Sequence, residues 1–162
     1  MNDIASLADR LGAALRKAGL RLVTAESCTG GWIAEAVTAV PGSSTWFDRG
    51  VVAYSNEAKQ EMLGVPARLI AVHGAVSEPV VAAMARSAHA GRPDRVAVAV
   101  SGIAGPGGGS AAKPVGTVCL ALAIARDPPR ACTVHLHGDR VGIRRQAVCT
   151  ALCELIEALE SR

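Results

Sequence analysis

Asp94-Arg95-Val96-Ala97-Val98-Ala99-Val100-Ser101-Gly102 carries five consecutive apolar residues between a charged pair and a Ser-Gly exit. A run this short, rich in β-branched valine and without polar alternation, predicts a strand covered on both faces. A sheet with helices on each side follows from that single segment. Upstream, Ser77-Glu78-Pro79 reads as a capped, acidic helix start running towards Gly91, and Pro66 to Val72 as a short helix before it. Ser55 predicts the N-cap of a helix that carries Glu57, Lys59 and Met62 and closes at Gly64, directly after strand-like Trp46 to Tyr54. Further back, Thr29 to Val40 has helical spacing and is stopped by Pro41-Gly42. Leu22 to Ala25 reads as a buried strand, and Ile4, Leu7, Ala8, Leu11, Ala14 and Leu15 repeat at helical spacing before Gly19.

Downstream, Val115 to Ala125 and Ala131 to His137 are two strands joined through Asp127-Pro128-Pro129, close enough to pair as an antiparallel hairpin. Val148, Ala151, Leu152, Leu155 and Leu159 mark a closing helix, with Asp139 as its expected cap. Alternating helices and strands that finish in a hairpin predict an α/β fold, a three-layer α/β/α sandwich around a mixed sheet. The 162 residues fit one domain over 1–162, with no internal repeat and no boundary.

Composition narrows the function classes. Half of the residues are hydrophobic and 19% charged, the profile of a compact globule rather than a disordered chain. Aromatics are only 2% and the net charge is +3, which leaves neither stacking platforms nor a basic groove for nucleic acid. Met1 to Arg16 shows no basic stretch followed by a long apolar run, and no segment is long enough to cross a bilayer. Five cysteines without paired spacing suit a reducing compartment, so free thiols and a cytoplasmic location are expected.

Glu26-Ser27-Cys28-Thr29-Gly30-Gly31 joins a predicted strand to a predicted helix. A serine at such a junction is placed for attack on a carbonyl, with the helix-start N–H groups able to hold the oxyanion, although serine there also serves as an N-cap. Cys28 is a rival nucleophile, since a helix N-terminus lowers a thiol pKa, or else a packing residue. Because no histidine has an acidic companion in a recognisable motif, Lys59 becomes the candidate base. Burial would have to bring its pKa down; the alternative is a solvated lysine between Glu57 and Glu61. Tyr54 either relays a proton, packs over a flat ring or simply ends its strand.

The glycine loop Gly102 to Gly109 resembles a phosphate cradle, but fits neither the Walker nor the dinucleotide pattern. Arg140, Arg144 and Arg145 fall in the first turns of the last helix, where the dipole disfavours cations, so either a ligand phosphate offsets them or they are solvated. His135 and His137 have a spacing that metals use but no evident third ligand, so no metal is assigned. Cys149 and Cys153, one helical turn apart, read as core packing.

Six blocks in order carry a resemblance: Thr24-Ala25-Glu26-Ser27-Cys28-Thr29-Gly30-Gly31, Pro41-Gly42-Ser43-Ser44, Gly50-Val51-Val52-Ala53-Tyr54-Ser55-Asn56-Glu57-Ala58-Lys59, His73-Gly74-Ala75-Val76-Ser77-Glu78, Ser101-Gly102-Ile103-Ala104-Gly105-Pro106 and Lys113-Pro114-Val115-Gly116-Thr117. Together they resemble the CinA C-terminal domain family across nearly the whole chain. The resemblance implies a nicotinamide mononucleotide deamidase, an amidohydrolase of pyridine nucleotide salvage that yields nicotinic acid mononucleotide and ammonia without a cofactor or metal. It implies Ser27 as nucleophile and Lys59 and Tyr54 as its activating partners. Arg144 or Arg145 would complete the site, and the loop from Ser101 through Gly102, Gly105 and Gly107 would face the phosphate or ribose. Thr29, Gly30 and Gly31 belong to the same implied substrate site. A homodimer is the expected assembly. Cys119 departs from the resemblance, standing where many relatives have an aromatic.

Two other functions remain at this point. A nucleotide-sensing or partner-binding module, of the kind linked to competence and DNA damage, would bind without turnover. An amidase with Cys28 as nucleophile would keep the reaction and change the attacking atom.

Overall fold

The computed structural model describes residues 3–162; Met1 and Asn2, which open the N-terminal stretch read above, lie outside the described residues. In chain order the elements are α1 (Ile4–Ala18), β1 (Arg21–Glu26), α2 (Trp32–Thr38), a 3₁₀ turn (Ser43–Thr45), β2 (Phe47–Val52), α3 (Asn56–Leu63), α4 (Ala67–His73), α5 (Glu78–His89), β3 (Arg95–Gly102), β4 (Thr117–Ile124), β5 (Arg130–His135) and α6 (Arg140–Glu160). The sheet runs β2-β1-β3-β4-β5. β1 is parallel to both β2 and β3, and β3-β4-β5 is an antiparallel meander, so the sheet is mixed as the sequence predicts.

Val96 to Val100 of β3 is buried throughout, and its alternation divides two cores. Val96, Val98 and Val100 join the leucine-rich core under α1, α2 and α6, with Leu11, Leu15, Leu152 and Leu155. Ala97 and Ala99 face α5 with Ala25, Ala121 and Ala123, a floor of small side chains on which α5 rests through Val81, Met84 and Ala85. The bulk missing from the aromatics is supplied on the first face by Leu and Val, while the second is filled by close approach of the backbones.

Local chemistry sets the element ends. α1 stops at Gly19 with φ 65, a left-handed geometry glycine adopts without strain. Ser55 Oγ accepts the Ala58 N–H at 3.0 Å and caps α3, and Asp139 accepts the Gly142 N–H at 2.8 Å and caps α6. Ser77 does not cap α5: its hydroxyl donates instead to the Gly74 carbonyl at 2.7 Å. α2 begins only at Trp32, because Gly30 and Gly31, with φ 62 and 95, form a turn before it.

The chain leaves β1 for β2 through α2 on one face and returns to β3 through α3, α4 and α5 on the other. β1 and β3 are therefore the strands between which the connections diverge, and the crevice beyond their carboxyl ends is where open α/β sheets bind ligands. Ser27 follows β1 and Ser101-Gly102 ends β3, so both reach that crevice. No disulfide joins the described cysteines, and no described helix is long and apolar enough to cross a membrane.

Candidate active site

Side chains alternate along β1, so Glu26 turns towards α2 while Ser27 turns towards α3. Ser27 is 7% exposed and Lys59, despite its place between Glu57 and Glu61, is 2% exposed. The Lys59 amine donates to Ser27 Oγ at 3.0 Å and to the Tyr54 carbonyl at 3.1 Å. The Ser27 hydroxyl lies 3.4 Å from the same carbonyl. Burial pushes the Lys59 pKa below its ordinary value of 10.5, opposed only by the nearby Cys28. Tyr54 thus meets the pair through its main chain; its ring is 60% exposed and its hydroxyl accepts from Arg140 at 3.2 Å.

Two helix-start amides, those of Ile33 and Ala34, are turned to Glu26 and not to Ser27. Buried Glu26 accepts from the Ile33 N–H at 2.8 Å and the Ala34 N–H at 3.0 Å, and from the Thr29 hydroxyl at 2.7 Å. A carboxylate from inside the protein fills the anion position that the first turn of α2 offers. Of the N–H groups around this turn, those of Ile33 and Ala34 are thus taken up by Glu26; Thr29, Gly30 and Gly31 shape the turn, and the Gly30 N–H closes it on the Ser27 carbonyl at 3.0 Å. Cys28 feels the same exclusion. Its thiol is pushed up to about 11 by burial, opposite to the depression expected at an open helix start. Glu26 stands in the quoted sequence block without a role; the signal for one is an acid at the buried end of a strand just before a helix begins.

Ser27, Cys28, Tyr54, Lys59, Ser101 and Gly102 line one cavity of about 230 Å³, together with Asn56, Ala75, Val76, Ala104 and Arg140. Of the three arginines, Arg140 is the one in this wall; it also donates to the Gly105 carbonyl at 2.7 Å. Arg144 instead holds the Ser27–Gly31 turn, donating to the Cys28 carbonyl at 3.0 Å and the Thr29 carbonyl at 3.2 Å, with its guanidinium 5.6 Å from the Trp32 ring centre. Arg145 and Gly107 are outside the cavity lining, and Gly105 turns its carbonyl to Arg140. Sequence reading left Asn56, Ala75, Val76 and Ala104 without a role, because only the folded loops bring them to Ser27.

Gly102 is required sterically, since a Cβ there would lie 2.7 Å from Val118 and 3.0 Å from Cys28 Sγ. The glycine loop is tied to the cavity wall at two points. Ser101 donates to the Ala75 carbonyl at 2.9 Å, and Lys113 Nζ donates to the His73 carbonyl at 2.5 Å, at the C-terminus of α4 where a cation is favourable. Cys119 packs into the alanine-lined core with its sulfur 3.4 Å from Thr133 Oγ1. His135 and His137 are exposed at the sheet edge, Cys149 and Cys153 pack against the leucine-rich core, and no metal-binding cluster of three acidic, His or Cys groups occurs among the described residues.

Fold and site together define an α/β protein with a buried serine–lysine pair at the carboxyl edge of its parallel strands. The chain belongs to the CinA C-terminal domain family, whose profile matches residues 4–159. It is 54% identical over 159 residues to the nicotinamide-nucleotide amidohydrolase PncC of Pseudomonas putida, covering 97% of this chain and 98% of that protein. The protein of the same name from Escherichia coli K12 is 52% identical over 152 residues, covering 93% and 92%. Among solved structures, a CinA superfamily protein from Klebsiella pneumoniae superposes with a TM-score of 0.93 at 39% identity, covering 99% of this chain and 100% of that one.

Proposed function

We propose that this chain is an amidohydrolase that converts nicotinamide mononucleotide to nicotinic acid mononucleotide and ammonia in pyridine nucleotide salvage. Residues 1–162 act as one amidase domain in the cytoplasm. The observation that carries the chemistry is the 3.0 Å contact between a buried, uncompensated lysine amine and the Ser27 hydroxyl. A neutral Lys59 takes the Ser27 proton as Oγ bonds to the carboxamide carbon, and the tetrahedral intermediate then expels ammonia, which receives that proton from Lys59. Water adds to the resulting acyl-serine with Lys59 again as base, the ester bond breaks, and the acid leaves with Ser27 restored. The Tyr54 carbonyl orients the amine throughout. Arg140, at the cavity wall beside the Tyr54 hydroxyl, is placed to meet the phosphate. Arg144 contributes by fixing the turn that carries Ser27.

A binding-only module gives no reason to bury an amine against a serine. The thiol of Cys28, raised by burial, is poorly suited to attack. The test is ammonia release from nicotinamide mononucleotide by wild type, Ser27→Ala and Lys59→Met, each checked for folding by circular dichroism. Both variants are expected to fold and to lose at least ~10³-fold in rate, the scale on which a nucleophile or its base matters. Substantial turnover by Ser27→Ala would reject the serine route.

A further inference from the structure

The cavity wall contains a carboxamide of its own. Asn56 is the first residue of α3 and precedes Lys59 by three positions, a spacing that puts two side chains on one helix face. Both line the cavity that holds Ser27. The cap of α3 is supplied by Ser55, and the main-chain carbonyl of Asn56 accepts from Gln60 Nε2 at 3.3 Å, so neither duty falls to the Asn56 side chain.

Most of the other polar side chains of the wall already hold intramolecular hydrogen bonds, and Arg140 among them is assigned to the phosphate. The Ser101 hydroxyl donates to the Ala75 carbonyl, the Lys59 amine serves Ser27 and the Tyr54 carbonyl, and Arg140 bridges Gly105 and the Tyr54 hydroxyl. Ala75, Val76, Gly102 and Ala104 add no side-chain donor or acceptor. The Asn56 side chain, exposed on the same wall, holds no such bond and is available to a polar group arriving at Ser27.

We infer that the Asn56 side chain selects a carboxamide over a carboxylate at this site, favouring substrate entry and product release; the inference rests on the amidase reading above. A primary carboxamide presents one acceptor oxygen and one donor NH₂, and so does asparagine, so the two can form a pair of complementary hydrogen bonds. The product carboxylate has acceptors only. Facing Asn56 it keeps one hydrogen bond, and its second oxygen meets the asparagine oxygen, acceptor against acceptor. Turning the Asn56 amide over exchanges the two positions without removing the conflict. A site that hydrogen-bonds both ends of a group discriminates against the analogue lacking one of them. Asn56 is therefore a positioning and specificity residue, and the bond-making remains with Ser27 and Lys59.

The experiment is steady-state ammonia release from nicotinamide mononucleotide with nicotinic acid mononucleotide as inhibitor, in wild type, Asn56→Ala and Asn56→Asp, at fixed pH and with folding checked. For Asn56→Ala, KM is expected to rise about tenfold, the worth of an ordinary neutral hydrogen bond, with kcat within about threefold of wild type. The product inhibition constant should rise less than KM, so its ratio to KM falls. In Asn56→Asp that ratio should rise, because a carboxylate repels the acid while still accepting from the amide. An unchanged ratio in Asn56→Ala, or a loss confined to kcat, overturns the assignment while leaving the amidase standing. A wild-type protein that releases no ammonia overturns the amidase reading first, and this inference with it.

Discussion

Lys59 shows how far one residue can depart from what its neighbours suggest. Its flanking glutamates make it look like a surface lysine, yet α3 turns it inward, where it touches Ser27 and the Tyr54 carbonyl. The sequence supplied the candidates and the absence of a histidine–acid pairing; it could not supply the burial, which depends on how α3 docks beside α5. Tyr54 is the converse, a side chain marked from sequence whose contact with the pair runs through its backbone. Because burial lowers the Lys59 pKa, the folded state releases that proton at lower pH than the unfolded chain does. Below the lowered value both states are protonated and the burial penalty is fully felt; as pH rises from there towards 10.5 the penalty is relieved and stability increases. Lys59→Met is expected to abolish that upward slope and to melt at or above the wild-type temperature near neutral pH, measured by thermal denaturation across a pH series. On the proposed serine route, which needs Lys59 neutral, the kcat/KM of wild type should rise with pH through the same lowered value.

At the scale of elements, α2 is the piece most dependent on a contact that primary structure hides. Its helical spacing was legible over Thr29 to Val40, but its true start at Trp32 reflects the two left-handed glycines and the carboxylate of Glu26 that closes its first turn. The same limitation explains Ser77, which looks like a cap from its position before Glu78-Pro79 but spends its hydroxyl on the preceding loop. Glu26→Gln puts an NH₂ where donors converge, and is expected to cost about 1–3 kcal/mol in urea unfolding, the range for a buried polar group left unsatisfied. It should also lower amidase activity without touching substrate, because the Ser27–Gly31 turn loses its anchor. Unchanged stability in Glu26→Gln would show that the turn holds without the carboxylate.

Across the whole molecule, the layered α/β architecture was readable from the covered strand Val96 to Val100 and the terminal hairpin, because burial on both faces leaves a short unbroken apolar run rich in β-branched valine between polar flanks. Strand order was not readable: nothing in local composition says that β1 lies between β2 and β3. A polar tie at the other end of the sheet reinforces that order. Asp48 on β2 pairs with Arg21 of β1 at 3.3 Å and with Arg95 of β3 at 3.2 Å, and with Arg49 at 2.7 Å. The Arg49 hydrogen bond, aided by the other cations, holds the Asp48 carboxyl below its ordinary 3.8. Its contribution is therefore present above 3.8 and disappears as pH falls through the lowered folded value. Asp48→Asn should be less stable than wild type at pH 7, and the gap should narrow in acid, as read from melting temperatures between pH 7 and pH 2.

The alanine floor beneath α5 has a consequence for what the cavity can admit. Alanine has no rotamers to exchange, so this interlayer contact has one way to close and little freedom to swell when pressed. Ala75 and Val76, which lead into α5 and form one side of the cavity, inherit that fixed placement. The pocket is therefore expected to keep a fixed bore on that side, sorting ligands by their thickness instead of yielding to them.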